Sequence, residues 1–143
     1  MIKKISRAQT QPLRSLVLRN GKPPVECVLP TDENEGIFHL GYFEDNSVIS
    51  IGTFFPEDYA KQGNNGFRLR GMATDPAYAG KGYGAKLINF AVNELKSEGA
   101  AYIWCNARAA AVGFYRRLGF EIISDEFDIP GIGPHFDMLY QIK

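Results

Sequence analysis

Gly80, Gly82 and Gly84 fall close together, bracket Lys81 and stand directly before the apolar-periodic run AKLINFAVNEL. Glycine admits left-handed turns and close backbone approach. The helix that such a run starts presents unbonded amides and a positive dipole end, which together suit a phosphate-bearing ligand. Lys81 adds a local charge. The same glycines also serve as a plain turn and close-packing device, and their spacing alone does not separate the two uses. It does weigh against two others. The run matches neither the GxxxxGKS/T loop of nucleotide hydrolases nor the GxGxxG loop of dinucleotide-binding folds, so nucleotide hydrolysis and hydride transfer lose their most direct support.

Other reactive side chains are sparse. Cys27 and Cys105 are too few for a disulfide framework and lie outside any CxxC pair; Cys105, inside the apolar AYIWC, reads as a small buried hydrophobe and a poor nucleophile. His39 and His135 are the two histidines, and without HExxH they define no metal site, so no metal is expected. Each has an ordinary structural reading, with its ring nitrogens paired to neighbours. Each also has a functional one: His39, on a strand, could face an acceptor pocket, and His135, after IPGIGP, could orient a substrate or accept its proton. Glu57 and Asp58 follow FFP and could meet an ammonium on the substrate side, although a solvated loop is the commoner place for such residues. Two adjacent carboxylates are not the opposed pair that glycoside hydrolysis needs.

The elements that must position these groups follow from periodicity and punctuation. IKKI predicts a short strand, and TQPLRSLVL over Thr10 to Leu18 predicts a helix capped by Thr10, with Pro12 early and Leu13, Leu16 and Val17 on its apolar side. VECVLPTDENEG reads as a short extended piece and an acidic turn. IFHLGYF, the turn EDNS and VISIGTFF predict an antiparallel hairpin; PEDYAKQGNNG is a loop that could cover a site; FRLRGMAT is a further strand. The amphipathic helix begins near Gly84, with Leu87, Ile88, Ala91, Val92 and Leu95 inward and Gly99 past its end. AYIWC is a strand, in which Trp104 and Asn106 share one face and Cys105 the other. A helix through AAAVGFYRRLG follows, with Ala111, Phe114, Tyr115 and Leu118 on one side and Gly119 at its end. FEIIS and FDMLYQI close the chain as two strands joined by DEFDIPGIGPH. The simplest solution is an α/β fold in one domain over residues 1–143, a mixed, mostly antiparallel sheet with helices on both faces.

Two segments within this order, MATDPAYAGKGYGAKLI at 72–88 and AVGFYRRLGF at 111–120, resemble in sequence and separation those of the GNAT superfamily of acyl-CoA-dependent N-acyltransferases. The resemblance runs from the hairpin near residue 37 to Tyr140 and is weakest in the first third, where substrate-contacting elements vary. It implies that acetyl-CoA or another acyl-CoA is the cosubstrate. The backbone amides of Ala79, Gly80, Lys81, Gly82, Tyr83, Gly84 and Ala85 would hold its pyrophosphate, and Met72, Ala73 and Thr74 would pair with its pantetheine arm. Tyr115 would protonate the departing thiolate, as a neutral phenol can at pH 7; apart from the resemblance it reads as a core aromatic. Two positions depart from the family pattern: Ala79 stands where Arg or Gln is usual, and Arg108 where Asn is usual, with Asn106 two residues earlier. Either Asn106 or Arg108 could then hold the cosubstrate, and Arg108 could instead meet a phosphate or a substrate carboxylate.

Composition sets the outer bounds. The chain has 143 residues, 16 Lys plus Arg against 16 Asp plus Glu, and 45% apolar residues, so it can bury a core without staples and carries no overall field toward nucleic acid or an anionic membrane. No nucleic-acid or membrane partner is expected, and without a signal peptide or long apolar run a cytoplasmic location is the default. The activity expected is N-acetyl transfer to a primary amine of a small molecule or peptide; a non-catalytic acyl-CoA-binding sensor is the alternative. A homodimer is left open by the sequence.

Overall fold

In the computed structural model, which describes residues 1–23 and 27–142, the chain opens with strand β1 (Ile2–Ile5) and helix α1 (Arg7–Leu13). Ser6 and Gln9 form a capping box: Ser6 Oγ accepts from the Gln9 amide at 3.2 Å, and Gln9 Oε1 accepts from the Ser6 amide at 2.8 Å. Thr10, expected as the cap, instead lies buried within the helix and donates its hydroxyl to the Arg7 carbonyl at 2.6 Å. Pro12 lacks the amide that would continue the helical ladder, and the backbone widens directly afterwards into a π turn over Arg14–Leu18. The wider turn moves the apolar side. Leu13 is buried, but Leu16 is 56% exposed and Arg14 is buried at 1%. The extended piece expected from Val25 begins at positions outside the described residues; its acidic turn is a short 3-10 helix, Pro30–Glu33.

Strands β2 (Phe38–Glu44) and β3 (Ser47–Pro56) make the expected hairpin. Asp45 and Asn46, at φ 47° and 69°, supply the two left-handed residues that match a two-residue turn to strand twist. After the loop come β4 (Gly66–Thr74), α2 (Tyr83–Ser97), β5 (Tyr102–Arg108) and α3 (Val112–Leu118), the last closed by Gly119 at φ 103°. The C-terminal part departs from the expected two strands and has three: β6 (Glu121–Ile122), β7 (Phe127–Ile129) and β8 (Gly133–Gln141). Gly131 and Gly133, at φ 80° and 120°, fold the chain back at once, so β7 pairs with the start of β8 as a second hairpin.

The strands order as β1-β2-β3-β4-β5-β8-β6, with β7 beside β8, and only the β4–β5 pair is parallel. The fold is therefore mixed α/β, mostly antiparallel, with helices on both faces. On one face Leu40, Phe54, Leu69 and Ile103 pack with Leu87, Ile88, Ala91 and Leu95 of α2. On the other, Ile51 and Ala73 meet Ile5 and Leu13. Two irregularities shape the middle of the sheet. Between the pairs Ile51↔Ala73 and Thr53↔Arg70, β4 spends one residue more than β3, a bulge that holds Gly71 at φ 63°. The parallel pairing of β4 with β5 then runs only from Gly66↔Tyr102 to Leu69↔Cys105.

Candidate active site

Beyond Leu69 and Cys105 the strands part, leaving the facing edges of Arg70–Thr74 and Asn106–Arg108 without strand partners and opening a cleft through the centre of the sheet. Because the opening passes between strands, both faces contribute. Met72, Cys105 and Tyr115 come from the α2 and α3 side; Arg70, Asn106 and His135 come from the other. Arg108 and the β7–β8 residues Ile129 and Ile132 complete that rim, while Ala111 packs toward the α2 and α3 side.

At one end of the cleft α2 begins without a side-chain cap and without an acidic residue in its first turn. Its leading amides therefore face outward with no intrahelical acceptor. Gly80 and Gly82 have φ 76° and 83°, and a Cβ on either would meet nothing within 4 Å, so these glycines serve the turn. Gly84 does something different. A Cβ there would lie 3.1 Å from Met72 Cε and 3.2 Å from Phe114 Cζ, so Gly84 seats α2 closely against β4 and α3. Lys81 is exposed, with Nζ 5.8 Å from the Tyr78 ring centre. Ala79, Tyr83 and Ala85 frame the same turn, whereas Ala73 and Thr74 bond back to β3: Ser50 Oγ reaches the Ala73 carbonyl at 3.4 Å and Thr74 Oγ1 at 2.8 Å.

Tyr115 is 6% exposed, between the rings of Phe114 and Phe120 and beside the Cys105 thiol. Burial, reinforced by Cys105, raises the phenol well above its ordinary pKa. It thus stays protonated through the neutral and alkaline range. Burial likewise pushes the Cys105 thiol up, which keeps it from acting as a thiolate. His135 is 3% exposed; its Nδ1 lies 2.8 Å from the Gly133 carbonyl, which can only accept, so Nδ1 carries a proton and in the neutral ring Nε2 holds the lone pair.

Two polar networks that the sequence did not announce stand behind these groups. Arg14 donates from Nη1 to Asp32 Oδ2 at 2.7 Å and from Nη2 to Asp32 Oδ1 at 3.1 Å, and also to Thr53 Oγ1 at 2.9 Å and the Cys27 carbonyl at 3.2 Å. Burial alone would raise the Asp32 pKa, but the bonds from Arg14 and the Leu29 amide outweigh it and hold the carboxyl below its ordinary range. His39 joins here through Nδ1 and Thr53 Oγ1, 2.7 Å apart; burial and the Arg14 charge lower its pKa. In the second network Arg68 lies 4.7 Å over the Trp104 ring, pairs with Glu57 at 3.3 Å and donates to Asn106, which donates to Asp137. Tyr59 donates to the other Asp137 oxygen at 2.6 Å, which raises the phenol pKa to about 12.

The structure thus brings Met72, Asn106, Arg108, Tyr115 and His135 to one cleft and places the Ala79–Ala85 turn at the adjoining helix end. His39 and Glu57 do not line the cleft, because Thr53 and Arg68 engage them elsewhere. The 57–65 loop covers Tyr102 and Trp104 and not the cleft: the Tyr59 amide donates to Tyr102 Oη at 2.8 Å, and Trp104 Nε1 donates to the Glu57 carbonyl at 2.8 Å. Of the pair sharing a strand face, Asn106 reaches the cleft and Trp104 does not. Arg14 and Arg70, unsuspected from sequence, do line it. A signal existed for the first, since Arg14 interrupts the apolar side of its helix.

Comparison with known proteins agrees with this fold. Residues 9–120 match the model of the acetyltransferase (GNAT) family. The chain is 39% identical over 143 residues to the uncharacterized N-acetyltransferase YitI of Bacillus subtilis strain 168, covering 99% of this chain and 96% of that protein. Over a shorter stretch of 55 residues, 36% of this chain and 37% of the relative, it is 38% identical to the ribosomal protein bS18-alanine N-acetyltransferase of Escherichia coli K12. In fold it is similar to a crystal structure of an aminoglycoside 6'-N-acetyltransferase complexed with coenzyme A, at TM-score 0.79 and 14% identity, covering 100% of this chain and 97% of that one.

Proposed function

This chain belongs to the acetyltransferase (GNAT) family, and from that premise we propose that it transfers an acetyl group from acetyl-CoA to a primary amine. The observation that carries the reading is the parting of β4 from β5 beside an uncapped helix end. An extended arm with amides can pair with the free strand edge at Arg70–Thr74, as an added strand would. A pyrophosphate fits the turn at Ala79–Ala85, where the amides of α2 point outward, Lys81 adds a positive charge and no first-turn carboxylate opposes it. The residues present therefore suit acyl-CoA.

The thioester supplies an electrophilic carbonyl and a sulfur leaving group. An amine attacks only after losing its proton, and His135 Nε2, which in the neutral ring holds the lone pair while Nδ1 donates to Gly133, is the base assigned to take it. The new C–N bond forms at the carbonyl carbon; an amide of the free β4 edge near Met72 or Ala73 supports the negative oxygen. As the C–S bond breaks, Tyr115 Oη gives the sulfur its proton. The raised pKa keeps that proton available at the pH of the reaction. Holding both reactants in one cleft removes most of the entropic cost of their encounter. Cys105 has no part in a covalent step.

Incubating the purified chain with acetyl-CoA and a panel of primary amines, with free thiol as the readout, tests this. Amine-stimulated thiol release together with acetylated amine is the expected result. Tight acyl-CoA binding with no release across the panel would replace the enzyme by a binding module.

A further inference from the structure

We propose that the acceptor is an amine carrying an anionic group, a carboxylate or a phosphate, which the arginines on the α1 side of the cleft receive. This rests on the transferase reading and deepens it. The chain is neutral overall, yet Arg14, Arg19, Arg70 and Arg108 line the cleft and, among the described residues, no Asp or Glu does. Asp32 stands behind the wall with its side chain 0% exposed, committed to Arg14 and to the Leu29 amide. It neutralises Arg14, and among the described residues no carboxylate pairs with Arg19, Arg70 or Arg108. Arg70 makes one polar contact among the described residues, from Nη1 to Thr31 Oγ1 at 3.2 Å, and the like charges of Arg68 and Arg19 each act on it more strongly than the opposite charge of Asp32.

Burying like charges together without a counterion is costly, and a cleft of one sign focuses its field on whatever enters. The two faces of the sheet separate this wall from the acyl-CoA phosphates. Arg70 shares the sheet face of Thr53, its partner in register, and Thr53 points to Arg14; α2, whose end offers the phosphate site, packs on the opposite face with Leu69. Arg14 Nε is buried without a partner among the described residues, and it lies against Gly71, where an added Cβ would stand 3.1 Å away, so Arg14 backs this wall directly behind β4. Planar guanidinium groups match carboxylate and phosphate oxygens in pairs. The apolar rim of Leu18, Leu29, Ile129 and Ile132 suits a short hydrocarbon stem between anion and amine.

The test uses the full chain, acetyl-CoA and matched amines: an ω-amino acid against its carboxamide, an amino-sugar phosphate against the parent amino sugar, and a linear polyamine. At least one anionic member should exceed its neutral partner in kcat/KM by about 10- to 100-fold, the worth of one charge-assisted contact. The two arms tell carboxylate from phosphate. In Arg70→Gln that ratio should collapse toward unity; if this variant fails to fold, Arg19→Gln, at a half-buried position, should lower it in the same direction. Preference for the polyamine or the neutral members, or a ratio unmoved by both variants, overturns the proposal while leaving the transferase reading intact. Should no amine be acetylated, calorimetry of the same anionic amines into CoA-loaded protein decides: binding weakened about 10-fold or more by Arg70→Gln supports the anion site, and equal or absent binding overturns it.

Discussion

Asp32→Ala should be among the most damaging single changes outside the apolar core. The Arg14 and Asp32 side chains are 1% and 0% exposed, and the carboxylate accepts three bonds, at 2.7 and 3.1 Å from Arg14 and at 2.9 Å from the Leu29 amide. Removing it leaves a buried guanidinium with Thr53 and the Cys27 carbonyl as its partners among the described residues. Breaking a buried pair from one side costs about 3–5 kcal/mol, against a total stability of roughly 5–15 kcal/mol for a chain of this kind. The midpoint of thermal unfolding should fall by on the order of 10 °C. Urea unfolding followed by the single Trp104 measures it, with the m-value held as a check that the same surface is exposed. A double variant, Arg14→Met with Asp32→Leu, removes both charges and should recover most of the loss, because a packed apolar pair substitutes well for a buried ion pair. A loss below about 1 kcal/mol in Asp32→Ala, or a double variant less stable than the single, would refute the reasoning.

Two other predictions test the framework around the cleft. Burial and Arg14 lower the His39 pKa below its ordinary 6.5, so the unfolded chain binds the proton more readily than the folded one; stability should fall as pH drops from about 6.5 toward the folded value and level off below it. His39→Gln should flatten that slope in urea midpoints taken across pH, and an unchanged slope counts against the assignment; Asp32, lowered from 3.8, titrates in a separate and more acidic window. Gly66→Ala should cost roughly 1–3 kcal/mol by overpacking, since its Cβ would lie 2.4 Å from Tyr102 Cζ at the point where β4 and β5 are still paired. Restored stability in Gly66→Ala with Tyr102→Leu, measured by the same unfolding, would confirm the clash; an unaffected single variant would contradict it.

Much of the fold was legible because local chemistry dictated it. The left-handed Asp45–Asn46 turn, the α2 stripe of Leu87, Ile88, Ala91 and Leu95, and Gly119 at the end of α3 are each specified by residues within a few positions of one another. The errors have the opposite character. Arg14 finds its carboxylate 18 residues on and its hydroxyl partner 39 residues on, so beyond its interruption of the apolar side of the helix nothing nearby shows what receives it. Thr10 reads as a cap in the sequence because Pro12 follows it, while the pair that starts the helix, Ser6 and Gln9, lies earlier. Strand β7 is three residues long and depends on β8 for its form, so DEFDIPGIGPH showed only its turn residues. For the candidate site, residues carried by segments 72–88 and 111–120 could be named in advance. The arginine wall could not, because Arg14, Arg19, Arg70 and Arg108 meet only where β4 and β5 part.

Tyr115→Phe is the most direct test of the account's central claim, that this cleft performs acyl transfer with the Tyr115 phenol as proton donor. The variant keeps the ring between Phe114 and Phe120 and removes only the hydroxyl. With the best amine from the panel and acetyl-CoA in single-turnover conditions, the rate of thiol formation should fall by about 10²-fold or more, as expected for loss of a general acid, with little change in acyl-CoA affinity. A single-turnover rate equal to that of the unaltered chain would contradict the account.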